Sequence, residues 1–219
     1  MRRAVIRALL PVLAAAVIVG CSSKPGVHTA FSPGAVQGVP TATQGVTLRT
    51  LISNRVRAVA ADAANVWIAT DKGVSRLVRD TGAWVHYTQE DGLESDDIRD
   101  VVADENTVWF GTSAGLCVYD VQAGTWRTFR ERDGLGSNRV NKIALDGEYV
   151  WVGGDYNGVS RYDRRTESWA VRNRGDGLSE DGVTALAVGS DSVWVGTYRG
   201  AGTTAARTPG TCTSARTGL

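Results

Sequence analysis

Two series of tryptophans, locked in phase, constrain this chain more than any other feature. Trp67, Trp109, Trp151 and Trp194 are separated by 42, 42 and 43 residues, and Trp84, Trp126 and Trp169 follow the first three at 17, 17 and 18. Leu51, Leu93, Leu135 and Leu178 keep the same 42, 42, 43 rhythm. Self-similarity at such a period marks a repeated supersecondary unit. The extra residue of the third unit sits in one loop, because Trp109 to Gly115 is six steps and Trp151 to Gly158 is seven.

Each unit divides into four short runs of β-branched and aromatic residues separated by turn residues. In the second unit these are Ile98 to Ala103, Thr107 to Thr112, Leu116 to Tyr119 and Thr125 to Phe129. No 3.6-residue periodicity outlasts a single turn. Four antiparallel strands in about 42 residues is the dimension of a β-propeller blade. The expected fold is therefore all-β, an incomplete, open arc of four-stranded antiparallel meanders. Blades are expected at about 51–92, 93–134 and 135–177, with part of a fourth at 178–200, inside a repeat region of 49–200. A large flat side chain at one place in every blade fills the wedge between adjacent blades.

Gly92-Leu93-Glu94-Ser95-Asp96-Asp97-Ile98, Val108-Trp109-Phe110-Gly111-Thr112 and Gly115-Leu116-Cys117-Val118-Tyr119-Asp120 together resemble the two-component regulator propeller repeat. Gly134 to Asp163 matches again, Gly177 to Gly200 begins a further copy, and Leu51 to Arg79 is a looser one with Ala69 at the Gly position. One departure is consistent: the family's Asp-x-x-Gly-Asn turn is one residue shorter here, as in Asp104-Glu105-Asn106-Thr107. The resemblance covers about residues 51 to 200. It implies a propeller of the kind that often forms the extracytoplasmic input half of sensor kinases.

The start of the chain reads as an export signal at 1–20, with Arg2, Arg3 and Arg7 ahead of the apolar stretch Ala8 to Val19. A dozen residues is too short to span a bilayer, which needs about 20. Ile18-Val19-Gly20-Cys21 resembles the lipobox of bacterial lipoproteins, which implies a lipid on Cys21 and attachment to a membrane of the cell envelope. A Gly/Pro/Ser/Thr-rich tether is expected over 21–48. Without the three signal arginines, 21 Lys and Arg face 23 Asp and Glu, so no electrostatic surface for nucleic acid is expected. Cys117 and Cys212 make neither a disulfide framework nor a metal set, and Cys117 is expected to pack as a small apolar residue.

Residues recurring at one phase belong to the scaffold. Ser53/Asn54, Ser95/Asp96 and Ser137/Asn138 are expected to make the same turn bond in every blade, and Asp62, Asp104 and Asp146 to be turn residues. Residues that break the repeat in the loops of one propeller face are the binding candidates: Arg55, Asp97, Arg139, Asp155, Tyr156 and Asn157. No catalytic residue, metal or cofactor is assigned. Asp96 and Asp97 are adjacent in an extended segment and point to opposite sides, and His86 lacks a companion. The function expected is a ligand-binding, sensory-input or protein-docking module with a protein or glycan partner. A propeller hydrolase or lyase whose catalytic blades are missing, or a fragment without function, stays open.

The repeat pattern stops after Gly200. Read two bases out of frame, codons for residues 202–218 permit the Tyr-Asp-Arg-Arg-Thr, Trp and Asp-Gly of the third unit (Tyr162 to Thr166, Trp169, Asp176-Gly177) at the same spacings. Residues 201–219 are accordingly expected to be a frameshifted, disordered tail on a truncated propeller.

Overall fold

The structure is a computed structural model that describes residues 51–104, 106–190, 192–205 and 213–214. The expected signal, Cys21 and the tether lie outside the described residues, as do Cys212 and the rest of the tail. Four antiparallel four-stranded sheets follow one another along the chain. Blade 1 is β1 (Val56–Ala61), β2 (Asn65–Thr70), β3 (Gly73–Val78) and β4 (Ala83–Tyr87). Blade 2 is β5 (Ile98–Ala103), β6 (Thr107–Thr112), β7 (Leu116–Asp120) and β8 (Thr125–Phe129). Blade 3 is β9 (Val140–Asp146), β10 (Tyr149–Gly154), β11 (Val159–Asp163) and β12 (Ser168–Arg172). Blade 4 is β13 (Val183–Val188), β14 (Ser192–Thr197), β15 (Gly200–Ala205) and β16 (Thr213–Ser214). Within each sheet the strands pair in simple sequence order, and the first strands β1, β5, β9 and β13 lie side by side. These are propeller blades, set in an open arc.

The reading of residues 201–219 as disordered is corrected for 201–205 and 213–214. Gly200 opens β15 at a positive φ of 135°, as Gly73 does for β3 at 116°. A ladder needs only backbone N–H and C=O groups, so the Ala/Gly/Thr run pairs with β14 despite lacking an apolar pattern. A second difference lies in the loops between blades. Each holds one turn of 3-10 helix, at Gln89–Asp91, Glu131–Asp133 and Arg174–Asp176. The backbone N–H of Gln89, Glu131 and Arg174 donates to Asp96, Asn138 and Asp181 across each loop, at 2.8, 2.9 and 2.7 Å. The recurring serine bond is present too, Ser53, Ser95 and Ser137 accepting from the N–H two residues on at 3.2, 3.1 and 3.2 Å.

The core is a series of blade-to-blade seams. Trp67 is buried among Val101, Phe110 and Tyr119 of blade 2, and Trp109 among Val140, Ile143 and Tyr162 of blade 3. Trp151 packs on Val183, Val193 and Val195 of blade 4. The second tryptophan series closes the same seams from outside: Trp126 lies 5.6 Å from Tyr87, and Trp169 lies 5.4 Å from Phe129, ring centre to ring centre. Gly134, at a φ of 105°, lets the loop pass Trp169 so closely that a Cβ there would meet the indole at 3.0 Å. Cys117 is fully buried, and desolvation pushes its thiol up to about 12.

Trp194 occupies the same repeat position as Trp67, Trp109 and Trp151 yet is 49% exposed, and Val59 at the other end of the arc is 58% exposed. Burial therefore separates equivalent residues. Trp67→Ala should lower the unfolding free energy by about 3–5 kcal/mol, and Trp194→Ala by less than half of that, in urea titrations followed by circular dichroism. Equal losses would contradict the seam description.

Candidate functional site at the channel mouth

Every inner strand carries one β-bulge. The bulged residues, left out of the ladder, are Arg57, Arg99, Asn141 and Thr184. A bulge re-aims a side chain that strict alternation would send elsewhere. Here the four bulged side chains meet Lys142, Val183 and Tyr198 around one cavity of about 270 Å³. One repeat position thus supplies two arginines, an asparagine and a threonine to a shared surface.

These residues are linked across the blades. Asp97 holds Arg57 at 2.8 Å and approaches Arg99 Nε at 3.7 Å. Arg99 Nη1 donates to Asn141 Oδ1 at 2.7 Å. Asn141 Nδ2 donates to Asp155 Oδ1 at 3.3 Å and to the Val183 carbonyl at 3.2 Å. Asp155 in turn pairs with Arg139 at 3.4 Å. The charged groups are half-buried and wetted, so each pair contributes at most about 1 kcal/mol to stability. What the chain of contacts achieves is orientation. It holds guanidinium and amide groups around the cavity, and Arg99 Nε is buried without a hydrogen-bond partner among the described residues.

Asp100 sits beneath this surface and stitches β5 to β9. Its Oδ2 accepts from the Ile143 N–H at 2.8 Å, its Oδ1 from the Val101 N–H at 3.1 Å, and Lys142 Nζ stands 4.0 Å away. Burial pushes its carboxyl above the ordinary range, against the opposing pull of the Ile143 bond and the Lys142 charge. Among the described residues no group of three or more His, Cys, Asp and Glu is set to hold a metal.

Of the six residues singled out in the sequence, the structure brings Asp97, Arg139 and Asp155 into this network. Arg55 stands apart, paired with Asp71 at 3.5 Å. Tyr156 donates its hydroxyl to Glu131 at 2.8 Å. Asn157 takes a left-handed φ of 62° and donates to the Gly136 carbonyl at 2.9 Å, which is a turn-forming role. Sequence reasoning missed Arg57, Arg99 and Asn141. Their signal was present: the phase two residues after Arg55, Asp97, Arg139 and Gly182 reads Arg, Arg, Asn, Thr. A bulge at that phase could not be read from alternation.

No family model matches the chain, and no curated protein matches it. Solved structures do. The extracellular domain of a B. thetaiotaomicron hybrid two component system, BT3049, is 18% identical with a TM-score of 0.65, over 74% of this chain and 25% of that one. The extracellular domain of the B. thetaiotaomicron one component system BT4673 is 22% identical with a TM-score of 0.62, over 77% of this chain and 25% of that one. The computationally designed Ika4 protein is 18% identical with a TM-score of 0.55, over 68% of this chain and 90% of that one. The likeness establishes the fold, and the chain spans about a quarter of the two B. thetaiotaomicron domains.

The environment of Asp100 generates a pH test. A carboxyl whose folded pKa is raised disfavours ionisation in the folded state, so its contribution to stability falls as pH rises from 3.8 through the folded value. Asp100→Asn, which keeps an acceptor for Ile143, should raise the urea midpoint at pH 7. The advantage should shrink as pH approaches 4. A variant less stable at pH 7 would show that the ionised carboxylate is favoured instead.

Proposed function

We propose that this chain is an extracytoplasmic ligand-binding or sensory-input module, related to the two-component regulator propellers and held to a membrane by lipid on Cys21. Its ligand meets the channel mouth at Arg57, Arg99 and Asn141, with Arg139 and Asp155 at the rim and Arg55, Tyr156 and Asn157 on the surrounding loops. The observation that carries this reading is the placement of all four inner-strand bulges around one cavity. Supporting it, the neighbours in fold are extracellular domains of two component and one component systems. Among the described residues no helix is long and apolar enough to cross a membrane. The out-of-frame continuation after Gly200 belongs to the same proposal, and sequencing the gene tests it: an intact frame with no blade encoded in the shifted one ends that part.

The mouth is tested on the full chain in detergent, by thermal shift against acetate, succinate, citrate, sulfate, glucose and glucuronate. At least one probe should raise the melting temperature. Arg57→Ala with Arg99→Ala should abolish that rise while leaving the melting temperature of the free protein within about 2 °C, since these pairs contribute little to stability. No rise with any probe, or an equal rise in the double variant, would contradict the assignment. For the anchor, cells fed labelled palmitate should label the wild type and not Cys21→Ala; equal labelling would remove the lipid from the proposal.

A further inference from the structure

Blade 2 departs from its neighbours in a second place, at the opposite end of the strands from the mouth. In blades 1 and 3 the residue paired across the ladder with the seam tryptophan is an arginine, Arg76 opposite Trp67 and Arg161 opposite Trp151. Its guanidinium lies over the indole, 5.0 and 5.8 Å from the ring centre. In blade 2 the residue opposite Trp109 is Val118. The guanidinium over the Trp109 ring comes instead from Arg164 of blade 3, 5.6 Å from the ring centre, beside a cavity of about 230 Å³ in the cleft between blades 2 and 3, walled by Thr107, Trp109, Val118, Arg127, Phe129, Tyr162 and Arg164.

The polar partners have been exchanged as well. Trp67 Nε1 donates to Asp62 at 2.9 Å, and Trp151 Nε1 donates to Asp146 at 3.2 Å. The equivalent acid of blade 2, Asp104, is instead paired with Arg164 Nη1 from blade 3. Trp109 is 4% exposed, and its Nε1 has no partner among the described residues. Arg164 Nε and Nη2 are also buried without partners. These three buried donors belong to two of the residues that wall the cavity, and a buried donor left unpaired is costly. The remaining wall is Val118, Phe129 and Tyr162 with Thr107 and Arg127. Arg127, placed across the ladder from Val118, lies 4.6 Å over the Phe129 ring and is tied outward to Glu167 at 3.0 Å.

We propose that the cleft between blades 2 and 3 is a second binding site, for a small apolar carboxylate. The carboxylate accepts from Trp109 Nε1 and the free edge of Arg164, and the apolar body rests on Val118 and Phe129. Two donor-bearing residues share a cavity with Val118 and Phe129, a combination that suits an anion with a flat or branched hydrocarbon part. The site is separate from the mouth and stands without it.

Benzoate is the probe, with benzamide as its neutral counterpart. On the ¹⁵N-labelled full chain, benzoate should shift the Trp109 indole resonance and saturate with a dissociation constant near or below about 1 mM, as expected for a ligand of its size. Benzamide should bind at least about tenfold more weakly, because it lacks the charge that strengthens the hydrogen bonds. Val118→Arg puts at this position the residue that blades 1 and 3 carry, and should crowd the cavity and weaken benzoate at least about tenfold. Arg164→Met should weaken it comparably. Arg57→Ala with Arg99→Ala should leave it unchanged, which separates this site from the mouth. The proposal is overturned if benzoate leaves the Trp109 resonance in place, as a cavity holding only water would, or if it binds the wild type and Val118→Arg equally.

Discussion

The indole of each blade's second strand, pressed against the neighbouring blade, is the contact on which the rest of the structure depends. A four-stranded meander has two faces and too little chain to cover either, so no blade buries its own apolar residues. The wedge between two such sheets is wide and shallow, and a tryptophan fills it where a smaller side chain would leave a void. Trp67, Trp109 and Trp151 do this at successive seams, while Trp126 and Trp169 close the outer edge. Cohesion is then a sum over neighbours, as in other repeat proteins. The position of Trp194, equivalent in sequence and half exposed in space, shows that the residue alone does not make the seam.

A scaffold built from copies concentrates chemistry where the copies differ. At the mouth the backbone is the same in every blade, one bulge per inner strand, and only the side chain it projects changes. Two arginines, an asparagine and a threonine then become a single asymmetric surface. In the cleft the difference is subtractive. With Val118 in place of an arginine, Arg164 of the next blade lies over the Trp109 ring, and its pairing with Asp104 leaves the indole without the acceptor that its two counterparts possess. Both places are defined against the repeat, and neither would be visible in one blade considered alone.

The strands were legible because their apolar runs and turn residues recur in register; the second unit's runs coincide with β5 to β8 almost residue for residue. The serine turns were legible for the same reason, being local and repeated. The candidate site was half legible. Asp97, Arg139 and Asp155 were found because they break the repeat in loops, whereas Arg57, Arg99 and Asn141 lie inside strands. There a one-residue bulge changes which side chain faces the channel, and nothing in a period-two pattern records it. The bond from Trp67 to Asp62 was also hidden. An acid at a turn explains itself locally, and its second role needs the indole brought round by the hairpin. The end of blade 4 was misjudged because side-chain pattern was used to judge a ladder that the backbone alone can extend.

If cohesion resides in the seams, protection must follow the number of seams a blade shares. Backbone amide hydrogen exchange on the full chain measures this directly. Blades 2 and 3, each packed on both faces, should exchange slowest, with β5, β6, β9 and β10 the best protected strands. Blades 1 and 4, whose outward faces expose Val59 and Trp194, should exchange faster although their ladders contain the same kinds of hydrogen bonds. Uniform protection across the four blades, or a slowest core in blade 1 or blade 4, would contradict the account.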